Sequence, residues 1–469
     1  MNNFILHEIE EQLDNKYEVD VNNLGFIKGV YAQKISKFSK GLYGHYKEKN
    51  PEKYEEKLIE MLEELISIKD QHLRNALNHI SKSNKKQIII CLDNADQRSF
   101  EVQQQSFIIA QELAKEWKAT VFISVRPQTF YKSKQAGALT AYPHKVFTIS
   151  PPIVDVVIEK RLLFALKMAE GKIPIETIPN LNLNSSNLAY FLKALIYSLK
   201  NNKKLTELIS NITGGNIRAV IELVTSFIGS PNVNAEKIIE IMENDGNYLI
   251  PVHEFSKSAL LGDYSHYNPE SSIAMNIFDV LYPDPKEHFL IGMILGFLNS
   301  ESDYQDKDGF FFTSNIMEEF QSLGFTQDQI EDSLRRATNK KVIETSQRIT
   351  FAEDETGLIG DIPSLFRITT VGAYHLKRWI STFAYLDAMV FDTPIFEDST
   401  IEKLLEQLES FNIIDRFNRA LEFKKYLLSI WASCNFSVRY FDLDIIMNQG
   451  NESFAKVKSV IDRNNKATS

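Results

Sequence analysis

The chain has 469 residues, of which 43% are apolar and 24% charged, and it carries a formal net charge of −10. That length calls for about two to four domains of roughly 100–200 residues each, and the composition is that of an ordinary globular protein. The acidic surplus excludes a whole-surface nucleic-acid binder, though not a local basic patch.

No apolar run approaches the roughly 20 residues that span a bilayer, so no membrane partner is expected. The start, Met1-Asn2-Asn3-Phe4-Ile5-Leu6-His7-Glu8, lacks the basic-then-apolar order of a secretory signal. The two cysteines, Cys91 and Cys434, are too far apart in sequence to suggest a disulfide framework or a zinc site. The expected location is the cytoplasm.

In chain order, residues 1–86 read as helices. Tyr54 to Ile80 is strongly periodic, with Leu58, Met61, Leu62, Leu65, Ile66 and Ile68 at the spacing of one buried helical face, and Pro51 suits a first helical turn. The run Ile88-Ile89-Ile90-Cys91-Leu92, closed by Asp93, predicts a strand covered on both faces, with Cys91 as a small buried hydrophobe. A helix is expected over Ser99–Trp117 and a second strand over Ala119–Val125. A third, shorter strand is expected over Lys145–Ile149. Strand, helix, strand is the rhythm of a parallel α/β domain.

Helices then follow at 155–169, 187–199, 204–212 and 217–228, the last opened by Gly214-Gly215-Asn216. Beyond residue 250, helices at 313–323 and 326–339 flank a turn at Gly324. Short strands at 341–345, 348–351 and 366–368 come next. A helix-turn-helix followed by a β-wing is a winged-helix layout. Residues 399–463 read as amphipathic helices.

Three segments point to chemistry. Asp93 ends a buried parallel strand, where ligands bind in open α/β sheets. A carboxylate there can hold Mg²⁺ through water, because that ion keeps much of its hydration shell. Asp96, three residues on, is placed to orient a water. Arg126 closes the next strand in Ile123-Ser124-Val125-Arg126-Pro127, and its guanidinium suits phosphate oxygens. Arg218 lies in the first turn of the helix after Gly214-Gly215-Asn216-Ile217.

In this order the three segments resemble the AAA+/STAND P-loop ATPases, over roughly residues 60–385. Asp93 matches the Walker B position and Arg126 the sensor 1 position. Arg218 is similar to the sensor 2 arginine of the initiator branch, in which a helical lid and a winged helix follow the core. The resemblance implies ATP and Mg²⁺ as cofactors. It makes Asp93 the metal ligand, Asp93, Asp96 and Arg126 the catalytic set, and Arg126, Arg218 and Asn94 the nucleotide contacts. It implies an ATP-dependent switch, with a further likeness to bacterial STAND-like proteins of antiviral defence.

Two departures from the family stand out. Asn94 occupies the place of the usual glutamate and cannot act as a base. No Gly-x-x-x-x-Gly-Lys-Ser/Thr stretch occurs, so no backbone nest or lysine cradles the phosphates. That loop, or an effector, is expected from an upstream segment or another chain, and a homo-oligomer is a further expected partner arrangement. A degenerate ATPase kept as an interaction or DNA-binding scaffold is the alternative.

The expected fold is therefore α/β followed by all-α. A partial P-loop core with a parallel sheet covers 1–150 and a helical lid 151–250. A winged-helix domain covers 251–390 and C-terminal helices 391–469. DNA is the expected partner of the winged helix through Arg335, Arg336, Lys340, Lys341 and Arg348, although Asp328, Glu331 and Asp332 open the same helix with negative charge. His253, His266, His288 and His375 have no metal-ligand spacing.

Overall fold

A computed structural model describes residues 2–95, 100–125, 145–147, 149, 152–173, 186–301, 304–345 and 361–468. The chain is mostly helical, with one small parallel and one small antiparallel sheet. It forms two compact units, Met1–Thr148 and Ile149–Ser469. No described helix is long and apolar enough to cross a membrane.

The first unit runs α1 (Asn2–Tyr17), α2 (Leu24–Val30), α3 (Ala32–Lys40), α4 (Tyr46–Lys49), α5 (Pro51–Ser67) and α6 (Lys69–Asn84). It continues with β1 (Ile89–Leu92), α7 (Phe100–Glu116) and β2 (Thr120–Ile123). The periodic stretch 54–80 divides at Ile68 into α5 and α6. Asn50 caps α5 by accepting from the Lys53 amide at 3.2 Å, ahead of Pro51 at the first position. Tyr54, Leu58 and Leu62 of α5 pack with Ile27 and Tyr31. Leu73, Ala76 and Leu77 of α6 pack with Leu6, Leu13, Leu113 and Trp117. Buried His72 ties the two clusters together: its ring nitrogens meet the Tyr31 hydroxyl at 3.1 Å and the Val21 carbonyl at 3.0 Å.

Strands β1 and β2 pair in parallel, in the register Ile89↔Thr120 to Leu92↔Ile123. One face of this sheet, through Ile90 and Val121, rests on the α6–α7 core. Side chains on the other face are exposed: Ile89 by 59%, Phe122 by 46% with its ring 6.5 Å from that of Phe147, and Cys91. This corrects the expectation of a strand covered on both faces with a buried Cys91. An apolar run records that a strand is suited to burial, not that a covering layer is in place. The third expected strand is also corrected, since residues 145–147 and 149 join no ladder.

The second unit opens with α8 (Val154–Ala169), α9 (Ser186–Asn201), α10 (Lys203–Ile212), α11 (Ile217–Gly229), α12 (Ala235–Asp245) and α13 (Val252–Leu261). A 3-10 turn, Pro285–Phe289, leads into α14 (Leu290–Leu298), every residue of which is buried. Then come β3 (Phe311–Phe312), α15 (Thr313–Ser322), α16 (Gln327–Asn339), β4 (Ile343–Thr345) and β5 (Leu365–Ile368). The sheet order is β3-β5-β4, antiparallel throughout. Gly324, at φ 91°, makes the turn between α15 and α16. Thr326 and Gln329 cap α16 reciprocally in a capping box. Of the three expected wing strands, the one at 348–351 lies outside the described residues.

Helix α17 (Thr370–Tyr374) runs into a π-helical turn, His375–Trp379, and α18 (Phe383–Met389). Gly372 lets α17 press on the backbone carbonyl of Val342, a place where a side chain would collide. Helices α19 (Asp398–Leu408), α20 (Ile413–Cys434), α21 (Leu443–Gln449) and α22 (Asn451–Thr468) complete the unit. The stretches expected as lid, winged helix and C-terminal helices share one continuous core, from Ile158 to Phe454.

Candidate functional site

At the carboxyl end of the parallel sheet, the amide of Ser124 donates to the Leu92 carbonyl at 3.0 Å and extends the ladder one step past β2. This register sets the Ser124 side chain beside Asp93, and the Ser124 hydroxyl donates a short hydrogen bond to Asp93 Oδ1. The same oxygen accepts from the Asn94 amide at 2.9 Å. Asn94 has φ 58°, the left-handed conformation that asparagine tolerates better than most residues, and it turns the chain away from β1 directly after the carboxylate. The Ser124 hydroxyl first, and the Asn94 amide second, hold the Asp93 carboxyl below its ordinary range. Asp93 is exposed, so an ionised carboxylate stands open to solvent at the strand end.

Ser124 is the residue that the chemistry-led reading passed over. The expected second strand, 119–125, ends earlier, at Ile123, and the register Leu92↔Ile123 therefore brings Ser124 beside Asp93. Asp96 and Arg126 lie outside the described residues.

Arg218 belongs to the second unit. Gly214 and Gly215, at φ 59° and 73°, turn the chain into α11, and Asn216 caps it by accepting from the Arg218 and Ala219 amides at 3.0 and 3.3 Å. The Arg218 side chain is exposed and has no ion-pair partner among the described residues.

The basic residues of α16 are largely turned to internal work. Arg336 forms an ion pair with Asp279. Lys340 donates to the carbonyl oxygens of Pro269 and Ser272, the latter at 2.8 Å. Arg335 lies 3.9 Å from Glu331. The acidic and polar positions are engaged as well: Tyr282 donates to Asp332 at 2.7 Å, and Gln329 donates to Asp284 at 3.2 Å and Glu287 at 3.3 Å. The 269–287 segment thus engages Gln329, Asp332, Arg336 and Lys340. Lys341 is exposed, and Arg348 lies outside the described residues.

Among the described residues no group of three or more His, Cys, Asp or Glu side chains is placed to hold a metal ion. His288 and His375, both fully buried, serve as hydrogen-bonding core residues. No family model, curated protein or solved structure matches the chain.

Proposed function

We propose that this chain is the metal-side portion of a nucleotide-dependent switch of the P-loop type. The observation that carries the reading is the Asp93–Ser124 pair at the carboxyl ends of two adjacent parallel strands. An ionised, exposed carboxylate beside a hydroxyl suits a hydrated Mg²⁺, which takes few protein ligands and keeps its waters. Bound there, the ion would neutralise phosphate charge. Asp93 would orient it, Ser124 would steady Asp93, and Asn94 would line the nucleotide without serving as a base.

A second feature supports the reading. Parallel sheets are ordinarily covered on both faces and have more than two strands. The exposed side chains of Ile89, Cys91 and Phe122 suit a sheet face on which a further element docks. We assign the phosphate-binding loop to an element that docks on that face.

In the second unit, α14, β3, α15, α16, β4 and β5 follow the order of a winged helix. Because Asp332, Arg336 and Lys340 are engaged internally, this module is read as a packed relay or protein-contact element and not as a DNA reader.

The test is calorimetric titration of Mg–ATP into the purified chain and into Asp93→Ala. Weak, saturable binding that disappears in the variant is expected. Saturable binding of equal strength in both proteins, or none in either, would refute the role given to Asp93.

A further inference from the structure

The second unit contains a cavity of about 250 Å³ between α13, α18 and the start of α20. Its lining gathers three cations, Lys257, Arg416 and Arg419, around one carboxylate, Asp387. Arg416 donates to Asp387 Oδ2 through Nε at 2.9 Å and Nη2 at 2.6 Å. Arg419 donates to Oδ1 through Nη2 at 2.7 Å. Both oxygens of Asp387 are thereby used by the arginines, so cations outnumber carboxylates on the lining, with the Glu254 carboxylate one helical turn before Lys257 as the further charge acting on it.

Two donors on this wall have no partner among the described residues. Arg419 is 3% exposed, yet its Nε makes no hydrogen bond. Lys257 forms neither an ion pair nor a hydrogen bond, and burial pushes its ammonium below the usual lysine range. Leaving such groups unsatisfied is costly, and a site that binds an anion can carry that cost.

The remaining wall is flat and apolar. The Phe391 ring lies 4.5 Å from the Arg419 guanidinium and 4.4 Å from the His266 ring. Phe411, 65% exposed, stacks with His266 at 5.6 Å and forms an aromatic lip. The rim is held in place, because Asn232 donates to the carbonyls of Gly262 and Tyr264 at 3.0 and 2.9 Å.

We propose that this cavity is a binding site for a small phosphate monoester with a planar aromatic body. The excess of cations on the lining attracts the negative charge of a phosphate. The unpartnered Nε and ammonium supply hydrogen bonds that a tetrahedral oxyanion accepts. The His266–Phe391–Phe411 wall takes the flat body by stacking. The site lies wholly in the second unit and is independent of the Asp93 reading.

The experiment titrates phenyl phosphate, benzoate and inorganic phosphate into the full chain by calorimetry. Phenyl phosphate binds most tightly, benzoate lacks the second charge, and inorganic phosphate lacks the ring. Lys257→Met removes a cation with no structural partner. It is expected to weaken phenyl phosphate by about tenfold or more while the free protein melts no lower than the wild type. His266→Ala is expected to narrow the preference for phenyl phosphate over inorganic phosphate. Absence of saturable binding by the wild-type chain, or equal affinity in Lys257→Met, overturns the proposal. Equal preference in wild type and His266→Ala overturns the aromatic part of it.

Discussion

Asp387 is the residue whose removal the second unit should tolerate least. Its carboxylate is 5% exposed and accepts three hydrogen bonds from two guanidinium groups. Arg419 also donates through Nη1 to the carbonyls of Gln407, Leu408 and Ser410, at 2.8, 3.3 and 3.3 Å, and so ties α20 to the end of α19. Asp387→Ala leaves a guanidinium that is 3% exposed with no counter-charge. Breaking a buried pair by removing one partner costs about 3–5 kcal/mol. With roughly 2.1 cal/mol/K of unfolding entropy per residue, a unit of roughly 300 residues carries about 0.6 kcal/mol/K. The transition of this unit should therefore fall by roughly 5–8 °C, as read by scanning calorimetry. Arg419→Met in the same chain should restore part of the loss, because replacing both partners by apolar groups is far less costly than orphaning one. An Asp387→Ala protein that melts with the wild type would refute the account of this cluster, and so would a double variant less stable than the sum of its parts.

Other outcomes follow from the same geometry. His288 and His375 are held neutral by burial, each with its range pushed down to about 4. Each donates from Nδ1 to a carbonyl, of Phe278 at 2.5 Å and Val371 at 2.8 Å, and accepts at Nε2, from the Tyr426 hydroxyl at 2.9 Å and the Met275 amide at 3.3 Å. The unfolded chain takes up these protons near the ordinary histidine value and the folded chain only near 4. The stabilisation is present above about pH 6.5 and lost as pH falls toward 4, with a slope of about 2.7 kcal/mol per pH unit for the two together. Urea unfolding across that window checks it, and a His375→Gln variant with the full slope would count against it. Ser124→Ala should raise the Asp93 carboxyl toward its ordinary range, seen by NMR titration of the side-chain carbon, since the Ser124 hydroxyl is the main group holding it down. Gly372→Ala drives a methyl into the Val342 carbonyl and should cost about 1–3 kcal/mol in urea unfolding. Arg336→Met strands Asp279 and should lower stability without a selective effect on DNA retention. A variant that melts normally yet loses salt-dependent DNA binding would restore α16 as a DNA-reading helix.

Much of the local structure was legible along the chain because its signals are local. The spacing of Leu58 and Leu62, the Gly324 turn and the Thr326–Gln329 capping box each act within a few residues. They place α15 and α16 to within a residue or two, whereas the break at Ile68 between α5 and α6 falls inside a stretch that reads as continuously periodic. The strands at 89–92 and 120–123 were legible as apolar runs, and Asp93 as the polar residue closing one of them. What failed were inferences about what lies across a face. The run around Cys91 carries the same pattern whether or not a second layer covers it, so its exposure could not be read from it. The run at 145–149 is apolar enough for a strand, but strand formation needs a ladder partner, which no local pattern supplies.

The sequence by itself determined where helices such as α15 and α16 start and stop, that strand, helix and strand lie in succession before residue 125, and that a carboxylate closes the first strand. These depend on capping, turn residues and hydrophobic period, which are properties of short stretches. Only the tertiary structure decided that Ser124 bonds Asp93, that Arg336 and Lys340 are held by the 269–287 segment, and that Lys257, Arg416 and Arg419 surround one buried aspartate. Those pairings join residues far apart in the chain. A charge in the sequence does not say whether it faces water or another charge, because burial and partner choice arise only when the elements pack.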